Sequence, residues 1–122
     1  MVSDQFSSPT LNTSLSAMLI EIAERRISGI IHTAGASQLN RFDFALGLAK
    51  TFQLDATLIQ AVQARELQWK AKRPTDSSLN VGRAQKLLRT TPLNIESAYE
   101  ELRREHIKFD RVQITRPATD SS

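Results

Sequence analysis

Apolar residues recur at helical spacing in four stretches of the chain, and the first two predict substantial amphipathic helices. Residues 15–23 follow the i, i+3, i+4, i+7 pattern after Asn12 or Thr13, either of which is a suitable N-cap. Residues 44–52 follow the same pattern after Asn40, with Asp43 in the third position of a shortened capping box. The side chains predicted to face inward are Leu15, Met18, Leu19, Ile22 and Ala23 in the first helix, and Phe44, Ala45, Leu48, Ala49 and Phe52 in the second.

The second half of the chain carries two further helical patterns, each preceded by an asparagine that can cap it. Asn80 precedes a short helix and Asn94 a longer one, and from His106 onward the periodicity fails. The sequence therefore predicts a domain over residues 1–105 followed by a loose tail over residues 106–122. The predicted inward residues are Val81, Ala84, Leu87 and Leu88 in the short helix, and Ile95, Ala98, Tyr99 and Leu102 in the longer one.

Two short extended runs interrupt the helical patterns. Residues 30–35 are apolar and close to glycines at both ends, and residues 58–63 alternate weakly, so both are predicted to be strands. A helix separates the two runs, which favours a parallel pair joined by a crossover. Because two strands make a poor independent sheet, the chain is predicted to be part of an α/β protein, mostly helical, with two or three short strands.

Composition narrows the class of protein further. The chain has 122 residues, of which 40% are hydrophobic and 24% charged, which suits one small domain or a part of one. It has no cysteine, which excludes disulfides, thiolate nucleophiles and cysteine-based zinc sites and fits a cytoplasmic location. With no apolar run of membrane-spanning length and no signal-peptide pattern, no membrane association is expected. The net charge of +3 is mixed along the chain and aromatics make up only 6%, so nucleic acid is not an expected partner.

Candidate catalytic and metal-binding residues are few. The four glycines do not form the glycine-rich turn of a dinucleotide site. Tyr99 and Arg103 have the spacing of a Tyr-x-x-x-Lys pair, but arginine does not give up its proton and Tyr99 falls on an inward helix face. His32 is expected to be a core histidine, and its separation from His106 gives no metal-binding pattern. No catalytic, cofactor-binding or metal-binding residue is therefore predicted in this chain.

A basic segment, residues 69–79, is the most distinctive local feature of the sequence. It holds the only tryptophan, Trp69, followed by three cations and then Pro74. Pro74 favours an extended backbone at Arg73, and a guanidinium on so short a loop is suited to bind a phosphate or carboxylate through paired donors. The alternative is a solvated basic turn in which Arg73 bonds only a local carboxylate such as Asp76.

Four short motifs are spread over most of the chain: Asp-Gln-Phe-Ser-Ser-Pro-Thr at residues 4–10, Gly-Ile-Ile-His-Thr-Ala-Gly at 29–35, Asn-Arg-Phe-Asp-Phe-Ala at 40–45, and Arg-Pro at 73–74 followed by Ser-Leu-Asn at 78–80. In order and spacing they resemble Asp-Gln-x-Gly-x-Pro-Thr, Gly-x-Tyr-His-x-Ala-Gly, Ser-Arg-Tyr-Glu-Phe-Ala and Arg-Pro…Ser-x-Leu-Asp. Those are motifs of the dTDP-4-dehydrorhamnose reductases, which belong to the extended short-chain dehydrogenase/reductase family. Ser7 departs from the pattern, and it would strain the loop if the family's glycine there needs a positive φ.

The resemblance implies the carboxyl-terminal, substrate-binding portion of an RmlD-like reductase of dTDP-L-rhamnose biosynthesis, with the α/β, Rossmann-like fold of that family. It implies a dTDP-sugar ligand, with Arg73 pairing with the diphosphate and Gln5, Pro9 and Thr10 bordering the sugar or shaping the loop beside it. In the family, the NADP(H)-binding Rossmann half and the catalytic Tyr-x-x-x-Lys precede this portion. The expected partners are therefore the dTDP-sugar and that N-terminal Rossmann half, or a further copy of the chain through self-association.

Two other functions fit the same residues. The regulatory β subunit of methionine adenosyltransferase carries similar motifs, so a non-enzymatic nucleotide-sugar-binding or regulatory module is the alternative to a reductase portion. A small interaction protein without a ligand is the third possibility, and it would leave Arg73 and Pro74 in an ordinary turn. A reading frame upstream of Met1 that encodes Gly-x-x-Gly-x-x-Gly and Tyr-x-x-x-Lys would support the reductase portion, and failure to bind any dTDP-sugar would favour the interaction protein.

Overall fold

The computed structural model describes the backbone of residues 1–115 and the side chains of residues 1–108. In this part of the chain helices dominate, with one small sheet and long connecting segments, which agrees with the predicted α/β class. The helices are α1 (Asn12–Glu24), α2 (Arg41–Thr51), α3 (Gly82–Leu87) and α4 (Ile95–Thr115), and the strands are β1 (Phe6–Ser7) and β2 (Leu39–Asn40). Two 3-10 turns, Ala56–Leu58 and Ala64–Glu66, lie between α2 and α3.

All four predicted helices are present, and two of their predicted caps are confirmed. The Asn40 side chain accepts the Asp43 backbone N–H at 2.7 Å and donates to the Asp43 carboxylate at 3.0 Å, which closes the start of α2. Asn94 likewise accepts the Ser97 backbone N–H at 2.8 Å at the start of α4. The predicted cap of α1 is wrong, because the helix already includes Asn12 and its cap makes no side-chain hydrogen bond.

The sheet lies elsewhere than predicted. β1 and β2 run antiparallel, with Phe6 opposite Asn40 and Ser7 opposite Leu39. The first strand therefore belongs to the Asp-Gln motif near the N-terminus, and the second leads directly into α2. This pairing places the start of α2 beside the first motif.

The two runs predicted to be strands do not form a sheet. Residues 30–35 form no strand, and residues 58–63 contribute only one parallel bridge, between Val2 and Val62. The predicted parallel pair with a helical crossover is therefore wrong. His32 is exposed, so its predicted core position is wrong as well. β-branched residues favour an extended backbone locally, but a strand also needs a neighbouring backbone with which to pair.

The apolar core is small and joins α1 to α3. Met18 and Ala84 have no exposed surface, and Leu88 completes the cluster. Leu19 and Ala23 were predicted to face inward but are exposed, because the packing partners of α1 lie along only one narrow side of the helix. The partly buried residues that pack against the cluster are Leu15, Ile22, Ile27 and Ile31.

The α2–α4 interface is built around Tyr99, which faces inward as predicted. Its ring stacks on Phe44 with centroids 5.9 Å apart, and its hydroxyl donates to the Phe44 carbonyl at 2.7 Å. Gly47 lets the ring approach, since a Cβ there would lie 2.5 Å from the tyrosine oxygen. Further along, Phe52 meets the His106 ring edge-on at 5.4 Å.

The last helix is longer than predicted. α4 continues to Thr115, so residues 106–115 are helical, where the sequence predicted a loose tail. Residues 116–122, the rest of that predicted tail, lie outside the described residues. The proposed domain boundary at residue 105 stays a prediction. In the described part of the chain, no helix has the length and apolar character needed to cross a membrane.

Candidate anion-binding site

β1 is held between two neighbours, and this brings the predicted site segments together. On one side it pairs with β2. On the other, the Phe6 backbone N–H donates to the Thr75 carbonyl at 2.7 Å, and the Ser77 N–H donates to the Phe6 carbonyl at 2.9 Å. The basic segment, residues 69–79, is therefore anchored along β1 by backbone hydrogen bonds.

A cavity of about 140 Å³ opens where these three segments meet. Two of the predicted site residues, Gln5 and Arg73, line it together. The described residues of its wall are mostly polar, include two arginines and carry no carboxylate. The lining residues are Gln5, Phe6, Ser7, Arg41, Arg73, Pro74 and Ser77. Such a lining is suited to an anion, because cations without nearby counter-charges leave their donors for a ligand.

Arg73 has a fixed neighbour in the only tryptophan of the sequence. Its guanidinium carbon lies 4.9 Å from the centroid of the Trp69 ring, which is the geometry of a cation–π contact. A cation–π contact uses the charge of the guanidinium and forms no conventional hydrogen bond, so N–H donors of Arg73 remain available. Within the described residues, Arg73 forms no ion pair and no protein hydrogen bond.

The local alternative for Arg73 was a bond to Asp76, and the structure does not contain it. The Asp76 carboxylate accepts the Ser78 backbone N–H at 2.9 Å, the Ser78 hydroxyl at 2.6 Å and the Gln38 amide at 2.7 Å. The Ser78 hydroxyl is the main cause of a lowered pKa of Asp76, followed by the Ser78 N–H. The Asp76 carboxylate therefore stabilises the turn at residues 76–78 and links that turn to Gln38.

Ser7 fits the site without backbone strain. It lies in β1, and the only non-glycine residues with positive φ in the described chain are Arg26 and Gln53. The departure from the family's glycine therefore costs no left-handed conformation here. It adds a hydroxyl-bearing side chain to the cavity wall.

Pro9 and Thr10 lie apart from this cavity. They border a smaller apolar cavity of about 70 Å³ between the end of the first motif, α2 and α4. The Thr10 hydroxyl donates to the Ser8 carbonyl at 2.8 Å and accepts the Gly35 N–H at 3.1 Å. A Cβ on Gly35 would lie 1.9 Å from the Pro9 carbonyl oxygen, so glycine is required for this approach. Of the two roles predicted for Pro9 and Thr10, these contacts correspond to shaping the loop.

Arg41 lines the cavity but was not among the predicted site residues. It follows Asn40, which pairs with Phe6, so the strand register sets it beside Gln5. The sequence offered one signal, since Arg41 is the second residue of the motif at residues 40–45. Its proximity to Arg73 depends on β-pairing between segments distant in sequence, which no local pattern reports.

The fold and the cavity define a class: a small, helix-rich α/β domain with two arginine side chains at a polar cavity. The comparison of sequences makes this specific. The chain belongs to the RmlD substrate binding domain family, whose model matches residues 1–107. This confirms the resemblance inferred from the four motifs.

Known relatives agree with that assignment. The dTDP-4-dehydrorhamnose reductase of Aggregatibacter actinomycetemcomitans is 27% identical over 114 residues, which cover 84% of this chain and 39% of that protein. The solved reductase of Yersinia enterocolitica matches with a TM-score of 0.73 and 22% identity over 82% of this chain and 35% of its own. The reductase of Bacillus anthracis in complex with NADP matches with a TM-score of 0.73 and 22% identity, over 85% of this chain and 37% of its own. A hypothetical dTDP-4-dehydrorhamnose reductase of Sulfolobus tokodaii matches with a TM-score of 0.64 and 33% identity, over 79% of this chain and 35% of its own. The chain thus spans less than two fifths of each relative and shares the fold of that part.

Proposed function

We propose that this domain binds the dTDP-sugar substrate of a dTDP-4-dehydrorhamnose reductase, with the diphosphate held at Arg73. The observation that carries the proposal is the guanidinium of Arg73, which lies over the Trp69 ring at a polar cavity whose described lining residues include no carboxylate. Membership of the RmlD substrate binding domain family and the names of the relatives supply the class of ligand.

Arginine suits this task better than the neighbouring lysines of the same segment. A diphosphate offers paired oxygens that match the guanidinium fork, whereas Lys70 and Lys72 give only point charges on flexible stems. Trp69 and Pro74 both restrict Arg73, one through ring stacking and the other through the backbone. Less ordering entropy is then lost when the ligand binds.

Gln5, Ser7 and Ser77 complete the polar wall beside Arg73. Amide and hydroxyl groups both donate and accept hydrogen bonds, which is the chemistry that sugar hydroxyls require. We assign Gln5 to the sugar or the phosphate oxygens next to it, since it lies on the same wall as Arg73. Pro9 and Thr10 support the ligand indirectly by fixing the loop that follows β1.

The reduction itself needs a bound NADP(H) and a positioned proton donor. The sequence contains neither the glycine-rich turn nor a Tyr-x-x-x-Lys pair. We therefore propose that a dinucleotide-binding portion outside this chain supplies them, and that this domain contributes the substrate side of the cleft.

Arg73→Lys tests the proposal, because it keeps the charge and removes the fork. We expect the affinity for dTDP-rhamnose, measured by calorimetry on the 122-residue chain, to fall about 5- to 150-fold, the equivalent of one lost charge-assisted interaction. Quenching of the single tryptophan should report the same change, since Trp69 lies under the guanidinium. Arg103→Lys, on an exposed face of α4, is the matched control and should bind as the wild type does.

Unchanged affinity in Arg73→Lys together with a lower melting temperature would make Arg73 structural and refute the proposal. Absence of any dTDP-rhamnose binding by the wild-type chain would refute it as well. Equal losses in Arg73→Lys and Arg103→Lys would show that overall charge, and not this site, attracts the ligand.

A further inference from the structure

We propose that Arg41 is a second anion-binding residue, and that Arg41 and Arg73 grip the two phosphate groups of a diphosphate from opposite sides of β1. The identity of the ligand rests on the proposed function, but the pair of arginines is inferred from the cavity itself. It assigns a binding role to a residue that neither the basic segment nor the loop chemistry indicated.

The placement of the two arginines follows from the backbone pairing. β1 is the middle segment, with β2 on one side and residues 75–77 on the other. Arg41 extends from the end of β2, and Arg73 comes from the segment on the opposite side. Both line one cavity, with Gln5 from the middle segment between them in the order of pairing. An anion in that cavity therefore meets a guanidinium from each flank.

The nearby carboxylates Asp43 and Asp76 accept hydrogen bonds from neutral groups, and neither pairs with an arginine of the cavity. Asp43, two residues after Arg41, accepts the Asn40 amide at 3.0 Å. Asp76, three residues after Arg73, accepts from Ser78 and Gln38. Within the described chain, neither Arg41 nor Arg73 forms an ion pair or donates a hydrogen bond to protein.

Other arginines of the chain show what a structural role looks like here. Arg83 donates to the carbonyls of Ile30 and Ser28, at 2.7 and 3.1 Å, and Arg25 donates to the Leu87 carbonyl at 2.7 Å. Those guanidinium groups join segments that are distant in the sequence. Among residues 1–108, whose side chains are described, Arg41 has no such contact, although it lies at the wall of a polar cavity.

Two backbone N–H groups at the start of α2 are already used inside the protein. The Asp43 N–H donates to the Asn40 side chain at 2.7 Å, and the Phe42 N–H donates to the Val2 carbonyl at 3.1 Å. The guanidinium of Arg41 is the charged donor at this end of the cavity. Two forks from separate elements suit a ligand with two adjacent phosphate groups, whereas a single phosphate can occupy one of them fully. The pair should therefore favour a diphosphate over a monophosphate.

The test compares inorganic pyrophosphate with inorganic phosphate by titration of the 122-residue chain, followed by Trp69 fluorescence and calorimetry. The variants are Arg41→Gln, Arg73→Gln and the charge-matched control Arg103→Gln. We expect Arg41→Gln and Arg73→Gln each to weaken pyrophosphate binding about tenfold to a hundredfold and to remove most of the preference over phosphate. Arg103→Gln should change neither.

A parallel titration with dTDP-rhamnose separates this inference from the proposed function. If Arg73→Gln weakens both ligands and Arg41→Gln weakens neither, the two-arginine grip is wrong and the proposed function stands. If pyrophosphate binding depends on both arginines while dTDP-rhamnose does not bind, the grip stands and the proposed function fails. Equal effects of all three variants, or no pyrophosphate binding by the wild type, would overturn the inference. Melting temperatures of each variant exclude loss of fold as the cause.

Discussion

Gly47→Ala should destabilise the protein, although alanine is the better helix former. Gly47 lies within α2, where Tyr99 of α4 crosses it. A Cβ at this position would lie 2.5 Å from the tyrosine oxygen and 2.6 and 2.8 Å from two ring carbons. These separations are far below ordinary contact distances, and the ring is too stiff to yield locally. The methyl group can therefore be accommodated only if Tyr99 or the whole of α4 moves.

Opposing terms decide the size of the effect. Replacing glycine by alanine inside a helix contributes about 1 kcal/mol in favour of folding. Displacing Tyr99 loses its hydrogen bond to the Phe44 carbonyl, about 1 kcal/mol, and its stacking on Phe44, about 0.5–1.5 kcal/mol. Overpacking adds about 1–3 kcal/mol of strain when the neighbours cannot relax. Together these terms give a net loss of about 1.5–4.5 kcal/mol in the free energy of unfolding.

Chemical denaturation followed by circular dichroism measures this difference, and the chain provides its own control. A Cβ on Gly82, at the start of α3, would meet only the Asn80 side-chain oxygen, at 3.1 Å, and that side chain can turn aside. Gly82→Ala should therefore be neutral or stabilising. In a Tyr99→Ala background, Gly47→Ala should also become stabilising, since its obstacle is gone. If Gly47→Ala raises the stability of the wild-type chain, the packing argument is wrong.

Three further predictions concern pH, surface and activity. The Thr90 and Arg89 backbone N–H groups and the Arg25 side chain lower the pKa of Glu21 from 4.5 to about 2. This carboxylate therefore stabilises the fold above pH 4.5, and its contribution is lost as the pH falls toward 2. Glu21→Gln should reduce the dependence of the melting temperature on pH over that range, whereas the control Glu24→Gln should not. Leu58 is 81% exposed and lies beside other apolar side chains around α2. We therefore expect concentration-dependent self-association in sedimentation velocity, and Leu58→Ser should weaken it. A monomer with a sharp melting transition at high temperature would contradict this. The chain alone should not oxidise NADPH in the presence of dTDP-4-dehydrorhamnose, because it lacks a dinucleotide turn and a placed acid; measurable turnover would contradict the proposed division of labour.

Local sequence determined the helices of this protein and the identity of its family. A helix closes its hydrogen bonds within four residues, so the apolar spacing of α1 and the Asn40 cap of α2 were visible in the sequence alone. The motifs at residues 4–10 and 73–80 likewise depend only on residue order. They led to Arg73, and the family assignment agrees with them.

Only the tertiary structure decided which backbone segments pair and which apolar faces are covered. β1 bonds to β2 and to residues 75–77, and these partners are distant in sequence, so strand propensity at residues 30–35 could not predict them. Leu19 lies on a helical stripe, yet it is exposed because no element of the described structure covers it. For the same reason the sequence could not predict that Arg41 and Arg73 line the same cavity. Their shared cavity exists because β1 holds both flanking segments, and such pairing is a property of the folded chain as a whole.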